Sequence, residues 1–257
     1  MKEANQLENA VVLTLDIDWA PDFAIDFVAD KLVERQVRAT WFVTHESPAI
    51  IRLKQYPELF ELGIHPNFFP GSSHGASVDA VLRYCMALVP EAVSVRTHGL
   101  LQSTRLLGQI AAQTPIKIDV SLFLPHTPHL RPVEYPWGGR TLVRIPYFWE
   151  DDFEMEYRAR ACWNLGPLLE EGAGLKVFDF HPLLVLLNSV DIQSVRALKH
   201  VIPRLSEASP SEVDPFVHVG RGTRTLFMEV IDHLAATRRS VCIRDIHTQW
   251  QRTRRET

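Results

Sequence analysis

Asp16, His65, Arg96, Asp119 and His181 each stand at, or just past, the end of a short apolar run. The runs are VVLTLD (11–16), LGIH (62–65), VSVR (93–96), IKIDV (116–120) and LKVFDF (175–180). Short, nearly continuous apolar runs rich in Val, Ile and Leu read as strands buried on both faces, which is the pattern of a parallel sheet. The carboxyl edge of such a sheet is where α/β proteins assemble their sites. A random scatter of polar residues would not collect there, so this pattern constrains both fold and site.

Between the runs the period changes. Phe23, Phe27, Val28, Leu32 and Val33 follow helical spacing, and RATWFV at 38–43 reads as the next strand, completing a βαβ unit. Helices are predicted over 78–88, 103–113, 194–204 and 223–236, with further strands at 142–145 and 240–243. Seven or eight strands separated by helices specify either a parallel barrel or a doubly wound sheet; periodicity does not separate the two. The 257 residues, 46% of them hydrophobic, suffice for one domain with a large core. Residues 251–257, with Arg252, Arg254 and Arg255, are expected as a flexible basic tail.

Several function classes are disfavoured. A net charge of -4 offers no basic field for nucleic acid. Cys85, Cys162 and Cys242 are sparse and form no CxxC pair, which argues against a disulfide framework and a cysteine-built zinc site. The first apolar run stops at Asp16, too short for a signal h-region, and no stretch reaches the roughly 20 apolar residues that span a bilayer. A cytoplasmic protein without a transmembrane segment is expected.

The chemistry begins with Asp16 and Asp18. Side chains two apart on a strand share a face, and like charges so close repel unless a cation lies between them. One carboxylate can then ligate while the other stays free as a base; a helix-start pair with Asp22 as a nearby cap is the plainer alternative. His65 and His74 lie in a segment broken by Pro66, Pro70 and Gly71, where imidazoles can join a carboxylate around an ion and leave a position open for water. Arg96 could hold a catalytic carboxylate ionised or form a structural ion pair. His181, followed by Pro182, is placed as a general acid or base, and Asp179 could point to the same side or lie on the rim. Trp137, Tyr147, Phe148 and Trp149 could stack on sugar rings near the active edge, or serve as loop packing.

In order, LTLDID, RATWFV, ELGIHP, VRTHG and DFHP resemble the NodB-type polysaccharide deacetylases, carbohydrate esterase family four, and in particular a divergent branch from surface-polysaccharide gene clusters. The resemblance spans residues 11–188. It implies a distorted (β/α) barrel of seven or eight strands and a divalent metal, Zn²⁺, in a site of one Asp and two His. It further implies Asp16 as general base, Asp18, His65 and His74 as metal ligands, Arg96 as the partner of Asp16, and His181 as general acid. Asp119 and Trp149, the latter a groove wall, are the implied substrate contacts, and His98 and Asn67 are expected beside them. Either Asp151 or Asp152 would support His181.

Two departures stand out. The family's histidines lie about one helical turn apart, but His65 and His74 are nine positions apart, with Phe69 where the nearer one would stand. Asn67 is then a second candidate for the third ligand. The arginine block continues Thr97, His98, Gly99 rather than with prolines and a tyrosine. The expected activity is removal of an N-acyl group from an amino sugar in glycan, lipopolysaccharide or O-antigen biosynthesis. Alternatives are another metal-dependent amide hydrolase on the same barrel, or a degenerate glycan-binding member.

Overall fold

The computed structural model describes residues 9–157 and 161–255. The chain opens with β1 (Val11–Asp16), α1 (Asp22–Arg35), β2 (Ala39–Val43), α2 (Pro48–Leu53), β3 (Phe60–Ile64), α3 (Val78–Leu88), β4 (Ser94–Val95), α4 (Thr104–Gln113) and β5 (Ile118–Asp119). A hairpin follows, β6 (Val133–Trp137) and β7 (Arg140–Arg144), then β8 (Trp149–Glu150), α5 (Asp151–Tyr157), α6 (Leu165–Glu170) and β9 (Lys176–Phe180). Helices α7 (Pro182–Leu187), α8 (Ile192–Val201), α9 (Pro210–Val213), α10 (Thr223–Thr237) and α11 (Ile243–Arg255) complete the chain.

The nine strands form one sheet in the order β6-β7-β5-β4-β3-β2-β1-β9-β8, parallel throughout except for the β6–β7 pair. The extended segment 140–150 serves both ends of it. As β7 it pairs with β5, and as β8 it pairs with β9. Between them Ile145 N–H donates to Asp119 O, Tyr147 N–H to Leu122 O, and Phe148 N–H to Val177 O. The sheet is thereby curled into the expected distorted barrel, with nine strands rather than seven or eight. The hairpin accounts for the extra pairing, and its two-glycine turn at Gly138 and Gly139, both with positive φ, was readable as a loop only.

Sequence periodicity located the first half well: β1 and β2 are buried at every position, as a parallel sheet covered by helices requires. The carboxyl-terminal end differs. The strand expected at 240–243 does not form: Cys242 N–H donates to Asp245 Oδ2 (2.8 Å) and Ile243 already begins α11. Ile243 N–H donates to Thr40 Oγ1 (3.0 Å) and Arg244 N–H to Glu61 (2.8 Å), so that α11 starts on the buried Glu61 carboxylate. Arg252, Arg254 and Arg255 belong to α11 instead of a flexible tail, and Arg254 pairs with Glu134 of the hairpin. No described helix is long and apolar enough to cross a membrane.

Candidate active site

Arg96, just past β4, anchors the centre of the barrel mouth. Its side chain is fully buried between the rings of Phe42 and Tyr147, whose centroids lie 4.7 and 4.4 Å from Cζ. Nη1 donates to Asp16 Oδ1 (2.8 Å) and to Asp179 Oδ1, Nη2 to Thr14 Oγ1 (2.9 Å), and Nε to Val120 O (3.2 Å). A buried guanidinium requires this degree of pairing. Two carboxylates nevertheless share one cation, and Asp179 Oδ2 is buried without a hydrogen-bond partner among the described residues. Burial pushes the Asp179 carboxyl up to about 7, against the opposing pull of Arg96.

Next to this pair three donor atoms converge. His65, at the end of β3, donates from Nδ1 to the carbonyl of Arg96 (2.8 Å), an assignment that leaves Nε2 with a free lone pair. That Nε2 lies 3.2 Å from Asp18 Oδ1 and 3.4 Å from Asp16 Oδ2. His98 Nδ1 lies 3.0 Å from Asp18 Oδ1 and 3.4 Å from His65 Nε2. Ligands at about 2.0–2.2 Å around a tetrahedral ion lie about 3.3–3.5 Å apart, so these separations fit one ion with a fourth position to spare. The donor set of one carboxylate and two imidazoles suits zinc or a similar divalent ion.

Asp18 reaches this place through a turn, not through strand alternation. β1 ends at Asp16, and Asp18 and Trp19 adopt left-handed φ values of 43° and 55°. Such conformations are uncommon for residues other than glycine and are found at sites where the surroundings enforce them. Here Trp19 N–H donates to Thr44 Oγ1 (3.2 Å), and the Trp19 ring meets the His98 ring edge-on at 5.2 Å.

His181, just past β9, caps the cluster. Its Nδ1 bonds to Asp151 Oδ1 (2.6 Å), its backbone N–H donates to Asp151 Oδ2 (2.9 Å), and Nε2 lies 3.6 Å from Asp18 Oδ2. Burial alone would discharge this imidazole. The adjacent Asp151, with Asp152 and Asp18, outweighs burial and holds its pKa well above 6.5. Glu150 and Asp152 flank Asp151. Burial raises both carboxyls, Asp152 to about 6 even with His181 pulling the other way.

Seven residues expected at the site sit elsewhere. His74 is not with Asp18 and His65: its Nδ1 accepts from Asn67 N–H (3.0 Å), its ring stacks on Tyr84, and burial lowers its pKa to about 4. Asn67 in turn accepts from Phe69 N–H at Oδ1 (3.0 Å), so both residues shape the loop after β3. Asp119 is wholly buried, receiving Arg144 Nε (2.6 Å) and Ser121 N–H (3.1 Å), while Ser121 Oγ accepts from Thr97 N–H (2.9 Å). It braces the segment between Arg96 and His98 and has no surface to offer a substrate. Trp149, also wholly buried, packs among Trp163, Phe178 and Phe180, so it is core instead of groove wall. Tyr147 and Phe148 are likewise sealed, and Trp137 stacks on Tyr135 in the edge hairpin.

Sequence reasoning had placed His98 among the substrate contacts. The signal in the sequence is a second imidazole two residues beyond a strand-end arginine. Asp151 was left open against Asp152, and the distances single out Asp151.

The family description of the WbmS-like polysaccharide deacetylases matches residues 13–199. Among solved structures, the chain is similar to WbmS of Bordetella bronchiseptica, provisionally assigned as a polysaccharide deacetylase involved in O-antigen biosynthesis. Identity is 31% over 88% of this chain and 91% of that one, with a TM-score of 0.77. The peptidoglycan deacetylase PdaC of Bacillus subtilis is more distant, at 12% identity over 98% and 96% of the two chains and a TM-score of 0.45. No match was found among curated proteins. With the match covering most of its length, this chain belongs to the WbmS-like polysaccharide deacetylase family.

Proposed function

We propose that the protein is a metal-dependent N-deacetylase of an amino sugar in a surface glycan of the O-antigen kind. The observation that carries the reading is the convergence of Asp18, His65 and His98 between a carboxylate held by Arg96 and an imidazole held by Asp151. That arrangement separates a ligand set from a base and an acid, which is what amide hydrolysis needs. It also answers the missing histidine spacing, since His98 supplies from the loop after β4 what Phe69 cannot supply from the loop after β3.

Asp18, His65 and His98 would hold a divalent cation, which when bound supplies Lewis-acid activation of water and of the acyl carbonyl. Asp16 takes the proton of the attacking water. Its Oδ1 is engaged by Arg96, so Oδ2, on the His65 side, is the oxygen that receives it. Arg96 fixes the carboxylate in place through Nη1. His181 delivers a proton from Nε2 to the departing nitrogen, and Asp151 fixes the ring through Nδ1 and favours the charged imidazole. The surface-glycan assignment draws on the relative's role in O-antigen biosynthesis.

The test is acetate release from N-acetylated amino sugars by metal-reconstituted protein. Asp16→Asn should abolish release while metal stays bound, and His181→Ala should lower turnover by roughly 10²–10⁴. Metal lost from Asp16→Asn would show that Asp16 ligates and the base lies elsewhere.

A further inference from the structure

Glu150 lies between the two proton-handling groups without belonging to either. It ends β8 directly before Asp151, and a carboxylate oxygen of it lies within 4.8 Å of ligand atoms on Asp16, Asp179 and His181. Oε2 accepts from Tyr147 Oη (3.1 Å), while Oε1 has no hydrogen-bond partner among the described residues. Asp179 and Tyr147 beneath it are sealed from solvent, but Glu150 is partly exposed. A carboxyl so placed faces the space where Asp16 and His181 would work.

The chemistry of an amide defines what that space must hold. A carbonyl carbon attacked from the Asp16 side and a nitrogen protonated from His181 are joined by a bond of about 1.3 Å. A group within reach of both Asp16 and His181 is therefore within reach of that nitrogen. The nitrogen carries a hydrogen that neither residue serves, because His181 donates to its lone pair. A buried N–H left without an acceptor is unfavourable.

We propose that Glu150 is a further substrate-contacting residue, accepting the scissile amide's N–H. The proposal rests on the deacetylase reading above. In the step, a water oxygen bonds to the carbonyl carbon, and the water's proton goes to Asp16. The C–N electron pair stays on nitrogen, which takes a proton from His181 Nε2. Glu150 transfers no proton. It makes the site selective for an amide over an ester, whose leaving oxygen has no hydrogen to give.

The experiment compares 4-nitroacetanilide with 4-nitrophenyl acetate, which share acyl and aryl groups and differ in N–H against O. Wild type, Glu150→Gln and Tyr147→Phe would be reconstituted with zinc, with metal content and thermal melting checked for each. The expected result is a fall in kcat/KM for Glu150→Gln that is about 10-fold or more larger on the anilide than on the ester. Tyr147→Phe, which keeps the ring on Arg96 but frees Glu150, should shift the ratio the same way and less. Equal loss on both probes would mark Glu150 as structural and overturn the proposal, as would an unchanged anilide rate. Ester cleavage without anilide cleavage by wild type would overturn the N–H contact but not the metal-dependent hydrolase. No acetate release by wild type from either probe or from N-acetylated amino sugars would sink the deacetylase reading and this proposal with it.

Discussion

His98 Nδ1 and Asp18 Oδ1 meet at 3.0 Å although 80 residues separate them in the sequence. The turn after β1 and the loop after β4 bring them together, and His65, from the strand between, completes the triangle. In His98→Ala, affinity for zinc should fall by more than about 100-fold, because a direct ligand matters more than the outer-shell partners that cost 10–100-fold. His74→Ala and Asn67→Ala should keep one ion per chain. Metal content after dialysis against a chelator checks all three, and retention in His98→Ala with loss in His74→Ala would refute the ligand set.

Removing the Arg96 guanidinium strands two buried carboxylates, Asp16 and Asp179. Arg96→Met should cost about 3–5 kcal/mol in urea unfolding, the usual result of breaking one side of a buried ion pair. Arg96→Lys should recover only part of this, since an ammonium cannot lie flat between Phe42 and Tyr147 while reaching Thr14, Asp16, Asp179 and Val120. A fully stable Arg96→Lys variant would show that charge alone, without planar geometry, suffices.

How much of this was legible in the sequence depends on whether a residue's role is fixed locally. Asp16, His65, Arg96 and His181 end strands, and a strand end in a parallel fold is a position that local pattern reveals. Asp18 came to the expected place by an unexpected route, a left-handed turn that no periodicity encodes. His98 against His74 turned on how two loops fold toward each other, a tertiary matter. Trp149 misled because aromatic character fits a groove wall and a core equally, and only burial decides between them. The hairpin β6–β7 and the start of α11 on Glu61 were hidden for a similar reason: their partners lie far away in the chain.

His126 is clamped between two carboxylates, with Nε2 2.5 Å from Glu154 and Nδ1 2.7 Å from Glu171. Burial disfavours its charge, yet the two glutamates prevail and raise its pKa above 6.5. The stabilisation is therefore fully present below the unfolded value near 6.5 and is lost as pH rises through the folded value. The melting temperature of wild type should exceed that of His126→Gln most below pH 6.5, with the gap narrowing as pH rises above it. A gap that widens with pH would mean that the imidazole is neutral in the folded chain.

Gly63 couples strand packing to the reacting centre. A Cβ built on it would approach Ser94 Oγ at 2.7 Å and Phe42 at 2.8 Å, closer than side chains tolerate. Ser94 donates to the buried Glu61, and Phe42 forms one face of the Arg96 clamp. Gly63→Ala should therefore cost about 1–3 kcal/mol through overpacking. It should also lower turnover, because displacing Phe42 shifts the guanidinium that holds Asp16. Zinc content should stay near wild type, since Phe42 and Ser94 are not ligands. Denaturant unfolding, metal analysis and acetate release on one preparation separate these effects. Wild-type turnover in a destabilised Gly63→Ala protein would show that Arg96 holds Asp16 without help from the Phe42 ring.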